Sequence, residues 1–244
     1  MNGFNEKIEL KIQETCEIKM RTYFSIQHIQ SAALFCRLSS KLENEYIGKF
    51  NQELITEYKA YVTNSIFSCV CFLEANINEI FCDTVDNPEN IKGLSKDEIR
   101  LLANMWNLDI PRTASYSILE KYQIALTLLG KPIINECESP FQNVKILIQL
   151  RNALMHYEPE WSMGKSNNCH EKVVQNKMEK KLIGKFEVSK IFMNSGNPFF
   201  PDKVLGCGCA KWAVDNSINF VDLFLSKLGI KANYDHVRDK LRLS

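Results

Sequence analysis

The sequence predicts an all-α fold, and three observations carry the prediction. Stretches of ten to thirty residues repeat apolar side chains every three or four positions, no pair of alternating segments suggests a strand ladder, and helix-starting and helix-stopping residues bracket most of these stretches. With 45% hydrophobic and 24% charged side chains among 244 residues, the chain has ample apolar material for one large core.

Residues 1–17 alternate weakly and lack a partner hairpin, so they are expected to form an N-terminal arm ahead of a single domain at 18–244. A first helix is expected over 18–42, where Phe24, Ile26, Ile29, Ala32, Ala33, Cys36 and Leu38 provide the apolar steps. A longer helix from Gln52 to Phe81 would form the spine of the bundle, stopped by Asp83, Asp86, Asn87 and Pro88. Ser95 followed by Glu98 reads as a capping box that opens a short helix ending before Pro111.

Ser115 to Leu129 is the next periodic segment, closed by Gly130 and Pro132. Ser139 as N-cap, with Pro140 at the first helical position, opens a helix that Pro159 closes. Residues 162–170 read as a polar loop, and 171–190 as helical, with six lysines against three glutamates. The segment 159–206 is therefore a candidate peripheral insertion. After a turn at 194–203, Ala210, Ala213, Val214, Ser217, Ile218, Val221, Phe224, Leu225 and Leu228 mark the inner face of a closing helix.

Charge excludes a strongly polyanion-binding chain overall, because 30 basic residues offset 29 acidic ones. The balance is uneven: residues 1–90 hold 8 basic and 13 acidic side chains, whereas 91–244 hold 22 and 16. No apolar leader is expected, nor a window of roughly 18 apolar residues, so a cytoplasmic setting without a membrane anchor is the expectation.

Nine cysteines, an odd number, suggest reduced thiols rather than a disulfide framework. Cys69 and Cys71 would point about 200° apart on a helix, making them poor partners for one metal. Cys207-Gly-Cys209, with Cys169-His170 across space, is a conceivable zinc set, but its one-residue spacing is better explained by a tight turn. No metal and no cofactor are expected. Trp106, Trp161 and Trp212, with the tyrosines at 116, 122 and 157, are assigned to packing, Tyr157 being the one placed to border a site.

Chemistry concentrates in Gln149-Leu-Arg-Asn-Ala-Leu-Met-His156-Tyr. Asn152 and His156 are four residues apart and share a helix face, with Arg151 displaced around it but long enough to converge. Histidine moves protons near neutral pH, arginine forks onto phosphate oxygens, and asparagine orients either one, a set suited to phosphodiester chemistry. The alternative is wholly structural: Arg151 paired with a carboxylate, Asn152 satisfied internally, and His156 at a helix C-terminus where the dipole favours a cation.

Arg151-Asn152-Ala-Leu-Met-His156 resembles the Arg-Asn-x-x-x-His form of the motif in the HEPN superfamily. The preceding long helix resembles the acidic-residue helix of these bundles, with Glu74 as the natural match and Glu79 second. Cys209-Ala-Lys-Trp-Ala-Val214 is similar to the tail of bacterial HEPN-like proteins, so the likeness spans about residues 20 to 240.

The resemblance implies a HEPN-like helical bundle with additional peripheral helices, acting as a homodimer that cleaves RNA without metal, as a toxin or defence effector held by a neutralising protein partner. His156 would activate a ribose 2′-hydroxyl or protonate the leaving oxygen, Arg151 would stabilise the phosphate, Asn152 would hold register, and Glu74 would orient Arg151. Lys145 and the lysines at 172, 177, 180, 181 and 185 would supply local charge for RNA if they ring the same cleft. The alternative within the same family is a noncatalytic nucleotide-binding or protein-interaction module.

Overall fold

The computed structural model describes residues 20–49, 51–109, 116–159 and 177–243. The expected arm at 1–17, the loop at 162–170, Trp161 and the Cys169-His170 pair lie outside the described residues. Among those described, the fold is all-α and contains no strand. The helices are α1 (Phe24–Tyr46), α2 (Gln52–Asp86), α3 (Lys96–Asn107), α4 (Ile118–Leu128), α5 (Phe141–Met155), α6 (Lys177–Leu182) and α7 (Cys207–Leu228). Single helical turns follow at Pro88–Asn90 and Phe199–Lys203, and Asp235–Leu241 closes the chain.

The spine is α2, as its length suggests. Tyr58, Val62, Ile66, Cys69, Leu73, Ile77 and Phe81 recur at three- or four-residue steps and are fully buried. Against this stripe pack α1, α3, α4, α5 and α7, with α1 running antiparallel beside it in the most extensive contact. Each large apolar side chain so enclosed contributes about 1.5–3 kcal/mol. By length and composition α2 could also cross a membrane, contrary to the expectation that no window would qualify; half of its apolar window is buried inside the bundle.

Several boundaries move, each for a local reason. α2 continues past Phe81 because Asp83 and Asp86 serve as partners rather than stops: Arg21 reaches Asp83 at 2.6 Å and Tyr23 donates to it at 3.2 Å. α1 starts at Phe24 without a capping side chain of its own, and Glu79 of α2 accepts the Ser25 amide at 2.8 Å and the Ser25 hydroxyl instead. That fixes Glu79 as a cap, and burial pushes its carboxyl above the ordinary range. The Ser95–Glu98 capping box forms as expected, and Ser117–Glu120 builds a second one that sets the start of α4.

α5 begins one residue later than expected, with Pro140 itself in the cap position, while Ser139 accepts from the Asn143 side chain at 3.0 Å. The expected helix over 171–190 is described only as α6, which ends at Leu182 because Gly184 takes a left-handed φ of 76°. Cys207-Gly-Cys209 is not a tight turn but the first turn of α7.

The connector from 186 to 206 is anchored beneath that turn by a buried polar network. Glu43 of α1, 1% exposed, accepts from the Tyr58 hydroxyl and from the Lys190 amide at 3.1 Å. The Tyr58 oxygen also meets Ser189 Oγ at 3.3 Å and accepts the Cys207 amide at 3.1 Å. Gly206 and Gly208 permit the approach: a Cβ on Gly208 would sit 2.3 Å from the Glu187 carbonyl oxygen.

Candidate functional site

α5 presents two faces of opposite character. Val144, Leu147 and Leu150 are fully buried against the core, and Asn143 donates to Asn216 of α7 at 2.8 Å, fixing the rotation of the helix. The rotation leaves Lys145, Gln149 and Asn152 outward along one stripe, with His156 where the helix ends. His156 is the C-cap (φ −108°, ψ 44°); its amide still donates to the Asn152 carbonyl at 2.9 Å while the chain turns away.

Asn152 and His156 are exposed, and neither side chain has a hydrogen-bond partner among the described residues. Arg151 is half-buried on a different flank, since five residues of α-helix separate it from His156 by about 140°. Its Nη1 lies 4.0 Å from Met155 Sδ, and its Nε is buried without a hydrogen-bond partner. No hydrogen bond joins Arg151, the Asn152 side chain and the His156 ring to one another.

Glu74 is not the partner of Arg151. Its carboxylate binds Lys121 of α4, a lysine only 4% exposed, and accepts from Asn78 at 3.4 Å. Lys121 also donates to Asn78 Oδ1 at 3.2 Å, so the ammonium is satisfied inside an α2–α4 joint. The expected orienting role of Glu74 therefore gives way to a structural one. The signal in the sequence was Lys121 itself, a charge at a core position of α4 between Leu119 and Tyr122.

Cations do collect beside α5. Lys181 donates to Gln149 Oε1 at 2.8 Å and Lys185 to Asn143 Oδ1 at 3.1 Å, placing α6 and its following turn along one flank of α5. Neither of these lysines, nor Lys145, has a carboxylate partner among the described residues. Lys172 lies outside the described residues. Held by amide oxygens rather than carboxylates, the Lys181 and Lys185 ammonium groups stand with Lys145 as a cationic margin along α5.

The remaining candidates resolve into scaffold. Tyr157 is half-exposed with its ring 6.4 Å from that of Phe200. Trp106 stacks on Phe81 at 6.2 Å, Trp212 lies 5.4 Å from Phe186, and the buried Tyr122 hydroxyl donates to the Leu73 carbonyl at 2.8 Å. Cys69 is buried and Cys71 exposed, as their spacing required. Burial pushes the Cys36 thiol up to about 11 and Cys207 to about 12, so both stay protonated and poorly nucleophilic near neutrality. Among the described residues no three His, Cys, Asp or Glu side chains are grouped to hold a metal ion.

The polar end of α5 thus offers an exposed imidazole, an exposed amide, an adjacent guanidinium and a lysine margin, with its expected acidic partner committed elsewhere. Compared with protein-family models, curated proteins and solved structures, the chain matches none.

Proposed function

We propose that this chain is a metal-independent endoribonuclease of HEPN type, acting through Arg151, Asn152 and His156 at the end of α5. The observation that carries the reading is the unspent hydrogen-bonding capacity of Asn152 and His156, exposed on a helix whose neighbouring lysines lack carboxylate partners among the described residues. His156 takes the proton of a ribose 2′-hydroxyl, whose oxygen attacks the adjacent phosphorus. The bond to the 5′-oxygen of the next nucleotide breaks, that oxygen receives a proton, and a 2′,3′-cyclic phosphate remains. An arginine facing the phosphate stabilises the charge that develops.

Because Arg151 and His156 point to different flanks of one helix, the arginine that serves a given histidine comes from a second copy in a homodimer. A toxin or defence role under control of a neutralising protein accompanies this reading, as does a cytoplasmic setting. The competing reading, a noncatalytic nucleotide-binding or interaction module, is favoured by one observation: Arg151 is half-buried with Nη1 toward Met155 and its Nε enclosed.

RNA incubated with the wild type, His156→Ala and Arg151→Ala in EDTA separates the two. The nuclease reading expects cleavage by the wild type alone, with all three proteins folded. Equal cleavage by the three removes the site, and intact RNA throughout favours the binding module.

A further inference from the structure

α4 and α5 each dock on α2 and α7 but scarcely touch one another, and a groove of about 720 Å³ lies between them. That volume falls within the range of small-molecule sites, about 300–1,000 Å³. Its walls are apolar and include rings: Ile124 and Leu128 from α4, Phe141 and Ile148 from α5, and Tyr116 at the entrance to α4. The loop between the helices is held rigid by Gln123, which donates to the Ile134 carbonyl at 2.7 Å and accepts the Ile134 amide at 3.0 Å. The groove is thereby built in advance of any ligand.

Several polar groups at its edge have capacity left over among the described residues. Glu120 is engaged by Ser117, whose amide donates to its carboxylate at 2.6 Å, whereas Glu136 is exposed with no partner among the described residues. Gln149 accepts from Lys181 through Oε1, and its amide nitrogen has no acceptor among the described residues. Lys145 stands in the same lining without a carboxylate partner among the described residues. Gln149 is followed one turn later by Asn152, about 4.5 Å along the helix, and His156 lies about 10 Å along it.

We infer that this groove seats a nucleobase bearing an exocyclic amino group, whose phosphate lies over Lys145 and Asn152. The assignment rests on the ribonuclease reading for its placement beside His156. Apolar walls and an aromatic ring suit a base face, the Glu136 carboxylate suits an amino edge, and the Lys145 ammonium suits the phosphate. An aliphatic ligand would leave those edge groups unused, and a second copy of the chain covering the groove would exclude nucleotides from it.

The test titrates the full chain with the 3′-monophosphates of adenosine, cytidine, guanosine and uridine, with ribose 5-phosphate and inorganic phosphate as base-less controls. The three amino-bearing nucleotides should bind about ten-fold or more tighter than the controls, with uridine weaker than the other three. Ile148→Glu, and independently Ile124→Trp, which fills the groove without adding charge, should remove that advantage. Similar affinity for base-bearing and base-less phosphates, or a preference that survives Ile124→Trp, overturns the inference. Base-selective binding by a wild type that leaves RNA intact supports the seat and counts against the ribonuclease reading alone.

Discussion

Two polar regions of this molecule have opposite economies. Around Glu43, a carboxylate, a phenol, a serine and two backbone amides are enclosed, and each has a partner. At the end of α5, an amide and an imidazole stand exposed beside a half-buried guanidinium, and neither exposed side chain has a partner among the described residues. Buried polar groups left unpaired are costly, so the first arrangement can persist only when complete. The exposed amide and imidazole of the second cost the fold almost nothing and leave their bonding capacity open to solvent or a ligand, whereas the enclosed Arg151 Nε is the unpaired group there.

Replacing residues on each side separates structural from functional polarity. Glu43→Ala orphans the Lys190 amide and takes from the Tyr58 hydroxyl its carboxylate acceptor, leaving Ser189 Oγ beside it, so a loss of about 2–5 kcal/mol is expected in a denaturant titration. A loss below about 1 kcal/mol would mean that the network is not a structural joint. Glu74→Gln should cost less, about 1–3 kcal/mol, because Lys121 keeps Asn78 and Glu74 is partly solvated. RNA cleavage should survive that change; a selective loss of cleavage at unchanged stability would return Glu74 to the site.

The α3 cap gives a smaller, pH-dependent effect. Lys131 and the Ser95 amide hold the Glu98 carboxyl down at about 2, against an ordinary value of 4.5. The group is depressed in the folded state, so its contribution is complete above pH 4.5 and is lost as pH falls toward 2. Glu98→Gln should remove about 0.5–1 kcal/mol at neutral pH and flatten the acid limb of the stability profile in that window. The smallest effect belongs to the open region: Asn152→Ala and His156→Ala should each change stability by less than about 0.5 kcal/mol. A larger loss from either would show that the face is structural after all.

What could be read from the sequence was local. The Ser95–Glu98 box involves residues three apart, and the inner face of α7 repeats over six turns, with only Ile218 of its expected residues left half-buried. Asn152 and His156 could be placed on one face because their relation is a single turn of one helix. What escaped depends on residues far apart in the chain. Lys121 meets Glu74 across 47 positions and Cys207 meets Tyr58 across 149, and neither pairing leaves a periodic trace. The groove between α4 and α5 is an absence of contact between two helices that share neighbours, which no pattern within either helix encodes. α6 illustrates the reverse error: lysine- and glutamate-rich composition favours helix, but one left-handed glycine at 184 ends it.

The central claim is that His156 acts on a ribose 2′-hydroxyl, and a DNA oligonucleotide carrying one ribonucleotide tests it most directly. Incubated in EDTA, the wild type should cut only on the 3′ side of that ribose and leave a 2′,3′-cyclic phosphate, whereas His156→Ala, equally stable, should leave the strand intact. Cutting at deoxyribose positions, cutting by His156→Ala at the wild-type rate, or an uncut strand with the wild type would contradict the account.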